Sequence, residues 1–302
     1  MTAAVPRLRT AAHRVDGPLE DLVADRDASV WLRGGEGFVG RGAALRVDLG
    51  TGPDRFRRAG ESLAALAPEV AAGADTPPVA LASFTFDARS NGSVLVVPEL
   101  LVARRGEEAW VRWAGDGEPD LEAVSEKDPV PDRVRYAGSS IPDLLWLDAV
   151  ATAVDRIRGG ALDKVVLARD HAVWSETPFS PRRLVRRLAE RFPSCFTFLV
   201  DGFVGATPEL LVRRTGRSLE SQVFAGTAPR GEDAAADQRL GEGLLGSEKD
   251  REEHRLAASS VRDVLAELCE DLEMDPEPRL VKLDNVQHLA TRFEGRLRAP
   301  VG

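Results

Sequence analysis

The stretch S-E-K-D-R-E-E-H, from Ser247 to His254, opens a long helical pattern. Ser247, followed three residues later by Asp250, resembles a capping box in which each side chain satisfies a free N–H of the first turn. Downstream, Ala257, Val261, Val264, Leu265, Leu268 and Leu272 recur at helical spacing and predict a buried stripe. One step of four back from Ala257 lands on Glu253. A carboxylate is therefore predicted on the apolar face, where an unpaired charge is too costly to keep. Asp250 lies one turn earlier on the same side. Two acids aimed alike from a helix N-terminus suit a cation; an acidic first turn favoured by the helix dipole is the plainer alternative.

The chain has 302 residues, enough for one large domain or two small ones, and for burying roughly three quarters of its unfolded surface. A net charge of −9 argues against a nucleic-acid or anionic-membrane partner, whose phosphates want the opposite sign. Cys195 and Cys269 stand far apart and suggest neither a disulfide framework nor a zinc knuckle. The opening M-T-A-A-V-P-R-L-R-T has no apolar run fit for a signal peptide, and no run approaches the roughly 18 residues of a membrane span. A soluble cytoplasmic protein is expected. Of 40 basic residues only Lys127, Lys164, Lys249 and Lys282 are lysine, so each lysine is a minority choice.

To about Gly115, short apolar runs alternate with turn signals. Val30 to Leu32, Val79 to Phe86, Ser93 to Val97 and Ala109 to Trp113 read as strands, Arg55 to Ala72 reads as a helix, and Asn91-Gly92 marks a hairpin. This part, 1–115, reads as scaffold. Residues 116–138 are polar and rich in Pro, Asp and Glu, an exposed connection to a catalytic half at 139–302. Sheets built from both halves remain open.

In the second half, Ser140 is predicted to cap a helix from Pro142 through Ile157. Asp163 to Arg169 reads as a strand with Lys164 pointing inward, a salt-bridge partner or a reactive amine. Arg182 to Arg191 reads as a helix, and Cys195 to Val200 and Phe203 to Ala206 as strands around Asp201-Gly202. Glu209 enters a strand directly after Pro208, where a sheet-edge acid that discourages mispairing is the plain reading. Phe224 to Gly231 reads as a glycine-bracketed turn whose N–H groups and Thr227 hydroxyl suit an anion. Arg279 to Leu283 and His288 to Leu297 read as strands; His288 is either a core histidine or an active-site donor.

In order, D-K-V-V-L-A-R, G-A-T-P-E-L-L-V, A-G-T-A-P-R-G, S-E-K-D-R-E-E-H and H-L-A-T-R-F-E-G, spanning 163 to 295, resemble the chorismate-utilising enzymes. The F-T-F-D-A-R-S-N-G-S stretch of the first half is similar to the isochorismate synthase subgroup. The resemblance implies one α+β domain over 1–302, of α/β sandwich type, with two large antiparallel β-sheets flanked by helices around a chorismate cleft. It implies magnesium, with Glu253 matching a direct ligand and Asp250 the acid that holds the ion through water, as hard carboxylate oxygens and retained waters permit. Lys164 matches the general base of the water-using members, where anthranilate synthases carry glutamine. Ala225 stands where aminodeoxychorismate synthases carry a ring-bonding lysine.

The implied chemistry adds water at C2 of chorismate and expels the C4 hydroxyl. Lys164 takes the water's proton and Glu209 protonates the departing oxygen, so the amine has to fall, and the carboxyl rise, from their ordinary pKa values. Gly226 and Thr227 are expected to bind substrate, with His288 near the leaving group. A monomer is expected, acting on a small molecule that leads to menaquinone or a catecholate siderophore. Salicylate synthase, which shares the lysine, is the runner-up; a non-catalytic chorismate-binding remnant is the rival from another class. The family's H-P-T-P-like motif, its second magnesium glutamate and its substrate-holding arginine and tyrosine have no counterpart after Leu297, so a fold incomplete at the C-terminus and weak activity alone are expected.

Overall fold

In the computed structural model, which describes residues 8–12, 15–24, 26–71, 79–115, 117–119, 121 and 129–299, the apolar runs become strands of wholly antiparallel sheets. The chain opens with β1 (Leu8–Ala12), β2 (Ala28–Arg33), β3 (Glu36–Arg41), β4 (Leu45–Asp48), α1 (Arg55–Ala71), β5 (Leu81–Ser83), β6 (Val94–Val97), β7 (Leu100–Arg105) and β8 (Glu108–Ala114). Next come β9 (Arg135–Gly138), α2 (Asp143–Arg158), β10 (Ala172–Trp174), α3 (Pro181–Arg191), β11 (Phe196–Val200) and β12 (Phe203–Thr207). The chain continues through β13 (Arg213–Thr215), β14 (Ser218–Pro229), α4 (Ala234–Gly246), α5 (Glu248–Leu268), β15 (Cys269–Met274), β16 (Arg279–Lys282) and β17 (Val286–Leu297). The architecture is α+β. Among the described residues no helix is long and apolar enough to cross a membrane.

Two units share these elements. The first combines the described residues up to 121 with 180–208. Its main sheet has the order β1-β8-β7-β3-β2-β11-β12, so the β11–β12 hairpin of the second half pairs with β2 of the first. Asp201 and Gly202 turn that hairpin with φ of 50° and 81°, which a two-residue turn between twisted strands requires. Val30, Leu32, Val39, Val102, Val111, Val185 and Leu199 pack its core. Ser180 caps α3 by accepting from Arg183 N at 3.2 Å.

The second unit comprises 129–179 and 209–299. Its sheet has the order β13-β14-β17-β15, with β16 also on β17, and α5 packs across β14, β15 and β17. Leu219, Val223, Ala258, Leu265, Cys269, Phe293 and Leu297 close the core between helix and sheet.

Several expectations need correction. The loop predicted as an Asn91-Gly92 turn spans 84–93, because Thr85 Oγ1 bonds Asp87 O, Ser90 O and Ser93 Oγ and ends the strand at Ser83. Gly73, the predicted stop of α1, lies outside the described residues, as does most of the 116–128 stretch. Ser140 does not cap α2: its N–H and Oγ, with Ser139 Oγ, all donate to Asp170 Oδ1, and Pro142 starts the helix. The aliphatic stripe of α2 is exposed, Leu144 at 76%. Residues 163–169 belong to no ladder among the described residues, and Val166 is 78% exposed. A strand needs a partner edge as well as an apolar pattern, and this stretch has none there.

Asp237 in the first turn of α4 fastens the end of β14. Its carboxylate accepts from Arg230 Nε at 2.6 Å, Lys282 Nζ at 2.7 Å and the Gly231 N–H at 3.0 Å. Behind it, Gln287 Nε2 donates to Pro229 O and Asp237 O, each at 3.1 Å. The Arg230 guanidinium, then Lys282 and the Gly231 amide, hold the Asp237 carboxyl far below the usual carboxylate range. A depressed carboxylate contributes its stability above its unfolded pKa, about 4, and loses it as pH falls toward the folded value. Urea denaturation is therefore expected to show the wild type weakening below about pH 4. Asp237→Asn should be less stable at neutral pH and show a flatter acid dependence.

Candidate functional site

All seven residues singled out from the sequence fall in the second unit, grouped around one short length of β14. Between Ala225 and Thr227 the pairing of β14 with β17 skips a residue: Ala225 faces Leu289, Thr227 faces His288, and Gly226 is the extra residue of a β-bulge. The glycine-bracketed turn expected at 224–231 is thus a bulge inside a continuous strand. Gly226 takes φ of 77°, and a Cβ there would meet Asp250 Cβ at 3.3 Å and Asp250 O at 3.4 Å. The first turn of α5 rests directly on the bulge.

That turn is set by Ser247, whose Oγ accepts from Asp250 N at 3.2 Å and donates to Asp250 Oδ2 at 2.5 Å. The capping box is therefore closed through the serine hydroxyl, since Ser247 N donates instead to Leu244 O at 3.3 Å. The buried stripe of α5 runs through His254, Ala258, half-buried Val261 and Leu265: Val261 and Leu265 lie where predicted, its start falls on His254 and Ala258 rather than on half-buried Ala257, and the helix ends at Leu268, leaving Leu272 in β15. Glu253 consequently lies beside the stripe, its side chain 39% exposed, and is not part of the apolar face. Its charge is met from the 163–169 segment. Lys164 Nζ stands 3.3 Å from Glu253 Oε1 and 3.5 Å from Glu253 O.

His254 is the residue of this cluster that the sequence reading passed over. Only 2% exposed, it contacts Ala225 O through Nδ1 at 3.2 Å and Thr291 Oγ1 through Nε2 at 2.7 Å. A carbonyl oxygen only accepts, so Nδ1 carries the proton and the Thr291 hydroxyl donates to Nε2. Burial pushes the imidazole below its ordinary pKa, against the Ala225 bond and with a smaller push from the Lys164 charge. Stepping back by four from Ala258 instead of Ala257 would have found it.

Glu209 does not enter a strand. Pro208 interrupts, and 208–212 is tied to β14 by Gln222 N to Leu210 O at 2.9 Å and Ser221 Oγ to Leu211 O at 2.7 Å. Glu209 Oε1 takes the Phe224 N–H at 3.2 Å, two residues from the bulge. On β17, His288 Nδ1 lies 3.0 Å from Thr227 Oγ1 and 3.4 Å from Gly226 O, with its ring edge-on to Phe224 at 5.6 Å. With a carbonyl as one neighbour, Nδ1 is the donor, and the proton of the exposed Thr227 hydroxyl is left for a ligand. A cavity of about 460 Å³ opens on the other side of His254 and Thr291, and none of the seven residues lines it.

Among the described residues no cluster of three or more His, Cys, Asp or Glu side chains forms a ready metal cage. Asp250 and Glu253, one turn apart, supply hard oxygens only. That donor set fits a hydrated magnesium, which takes one or two carboxylates and keeps its waters, and does not fit zinc.

Residues 33–302 match the family described as chorismate binding enzyme. The chain is 34% identical over 245 residues to a Mycobacterium tuberculosis protein provisionally named isochorismate synthase MenF, covering 77% of this chain and 61% of that protein. It is 31% identical over 241 residues to the isochorismate synthase DhbC of Bacillus subtilis, covering 74% and 55%. Among solved structures, the menaquinone-specific isochorismate synthase MenF of Escherichia coli superposes with a TM-score of 0.75 at 25% identity, over 98% of this chain and 72% of that one. The chain thus spans about three fifths of the length of the curated relatives it matches.

Gly226→Ala is expected to lower stability by about 1–2 kcal/mol, since the left-handed backbone penalises a side chain. The new methyl also presses on Asp250. Urea denaturation checks the loss, and a stability equal to wild type would show that the bulge tolerates a side chain.

Proposed function

The chain belongs to the chorismate binding enzyme family, and from that premise we propose that it acts as an isochorismate synthase, isomerising chorismate to isochorismate with magnesium. The observation that carries the reading is the meeting of Lys164 with Glu253, beside a bulge that also gathers Asp250, Thr227 and His288. Glu209 is fastened two residues along the same strand. An amine, an acid and a pair of cation-binding carboxylates are the groups that this substitution needs. A cytoplasmic monomer is part of the proposal.

Lys164 acts as the base: released from Glu253, its amine takes a proton from the water whose oxygen bonds to C2 of the ring. The two ring double bonds each shift by one position, the C4–O bond breaks, and Glu209 gives its proton to the leaving oxygen, so that one water enters and one departs. Glu209 is placed for this by the Phe224 N–H, which holds one carboxyl oxygen at the strand. The Thr227 hydroxyl and the Gly226 amide hold substrate beside the first turn of α5, and His288 orients Thr227 by donating to it. Glu253 and Asp250 would hold magnesium, which when bound supplies charge neutralisation of the ring carboxylate and polarises the adjoining diene.

Chromatography of the protein incubated with chorismate and magnesium is expected to show isochorismate, with Lys164→Ala and Glu209→Gln each lowering the rate by roughly a hundredfold or more. Salicylate as the product would favour the pyruvate-eliminating branch. Near-normal turnover by either variant would remove that residue from its role.

A further inference from the structure

We infer that in the resting protein the ε-ammonium of Lys164 occupies the cation position of the Glu253 carboxylate, so that a divalent cation gains Glu253 only by expelling Lys164. The inference rests on the reading of Glu253 and Asp250 as the cation's carboxylates. Lys164 Nζ is bound by two oxygens of one residue, Glu253 Oε1 at 3.3 Å and Glu253 O at 3.5 Å. An ammonium is a compact, strongly hydrated point charge, the closest side-chain equivalent of a small metal cation. The two charges cannot share one carboxylate oxygen without repelling each other at short range.

The surroundings permit the exchange. Glu253 is half exposed, so a cation reaches it from water, and Lys164 is only 26% exposed yet sits on a segment that no ladder fixes. The helix that carries Glu253 has no such freedom, because His254 next to it is tied to Ala225 O and Thr291 Oγ1. Glu253 therefore stays in place while its partner changes. The same displacement takes Lys164 away from the carboxylate that favours its ammonium form, so that it can release a proton to solvent and meet a water as the free amine. Loading the cation and arming the base are then one event.

The test is binding of Mn2+ alone, without chorismate, followed by the electron paramagnetic resonance of free Mn2+ near neutral pH. Lys164→Met is expected to bind Mn2+ about tenfold more tightly than wild type, the scale of a half-exposed ion pair plus the repulsion removed with it. Lys164→Arg, which keeps the charge, should remain as weak as wild type. Glu253→Gln should lose the binding in either background. Lys164→Gln serves as a second neutral variant, and thermal denaturation checks that each variant folds. Equal or weaker binding by both neutral variants overturns the inference, as does the absence of binding in every variant. A protein that makes isochorismate but binds Mn2+ equally with and without Lys164 keeps the proposed function and loses this inference. Tighter binding by the neutral variants with no isochorismate formed does the reverse.

Discussion

The imidazole of His254 is the constraint on which the site depends. It is buried between helix and sheet, and its two nitrogens are committed to two strands, Ala225 on β14 and Thr291 on β17. Leaving either contact unmade would strand a polar atom away from water, which costs more than the bond itself returns. The helix start is thus fixed in rotation and height against the sheet. Glu253 precedes His254 directly and Asp250 lies one turn earlier, so neither carboxylate can move without disturbing the histidine.

The second fixed point is the bulge. Gly226 adds a residue to β14 that β17 does not match, and the extra residue brings Thr227 opposite His288. A side chain at 226 would collide with Asp250, so close approach of helix and strand and the left-handed backbone are two aspects of one requirement. Asp237 secures the far end of this segment through Arg230 just past the end of β14 and Lys282 on β16. Gln287 ties β17 into the same knot. Precision at Thr227 therefore arises from groups that never reach the site.

Local chemistry was legible in the sequence, and non-local pairing was not. Ser247 was recognisable as a cap because a cap is decided within four residues. Ser140 had the same credentials but is bound by Asp170, thirty residues away in the chain, which no local pattern shows. The start of the α5 stripe was placed one residue early because Ala257 and Ala258 are interchangeable to a period of 3.6, and because a histidine does not count as apolar. That small error hid His254 and put Glu253 on the wrong side of the boundary. A bulge and a turn both call for glycine at positive φ, so A-G-T-A-P-R-G read as the commoner of the two. The V-V-L run after Lys164 has strand composition, but composition does not supply a neighbouring edge.

The balance of charge around β14 links these details to the proposed activity. Glu209, Asp250 and Glu253 outweigh Lys164, and in the resting arrangement Lys164 neutralises only the acid that it touches. An anionic ring acid approaching this group meets repulsion at short range, where solvent screening is weakest. A divalent cation on the α5 carboxylates would offset that excess of negative charge and free the lysine from Glu253. On this reading substrate affinity is conditional on the cation.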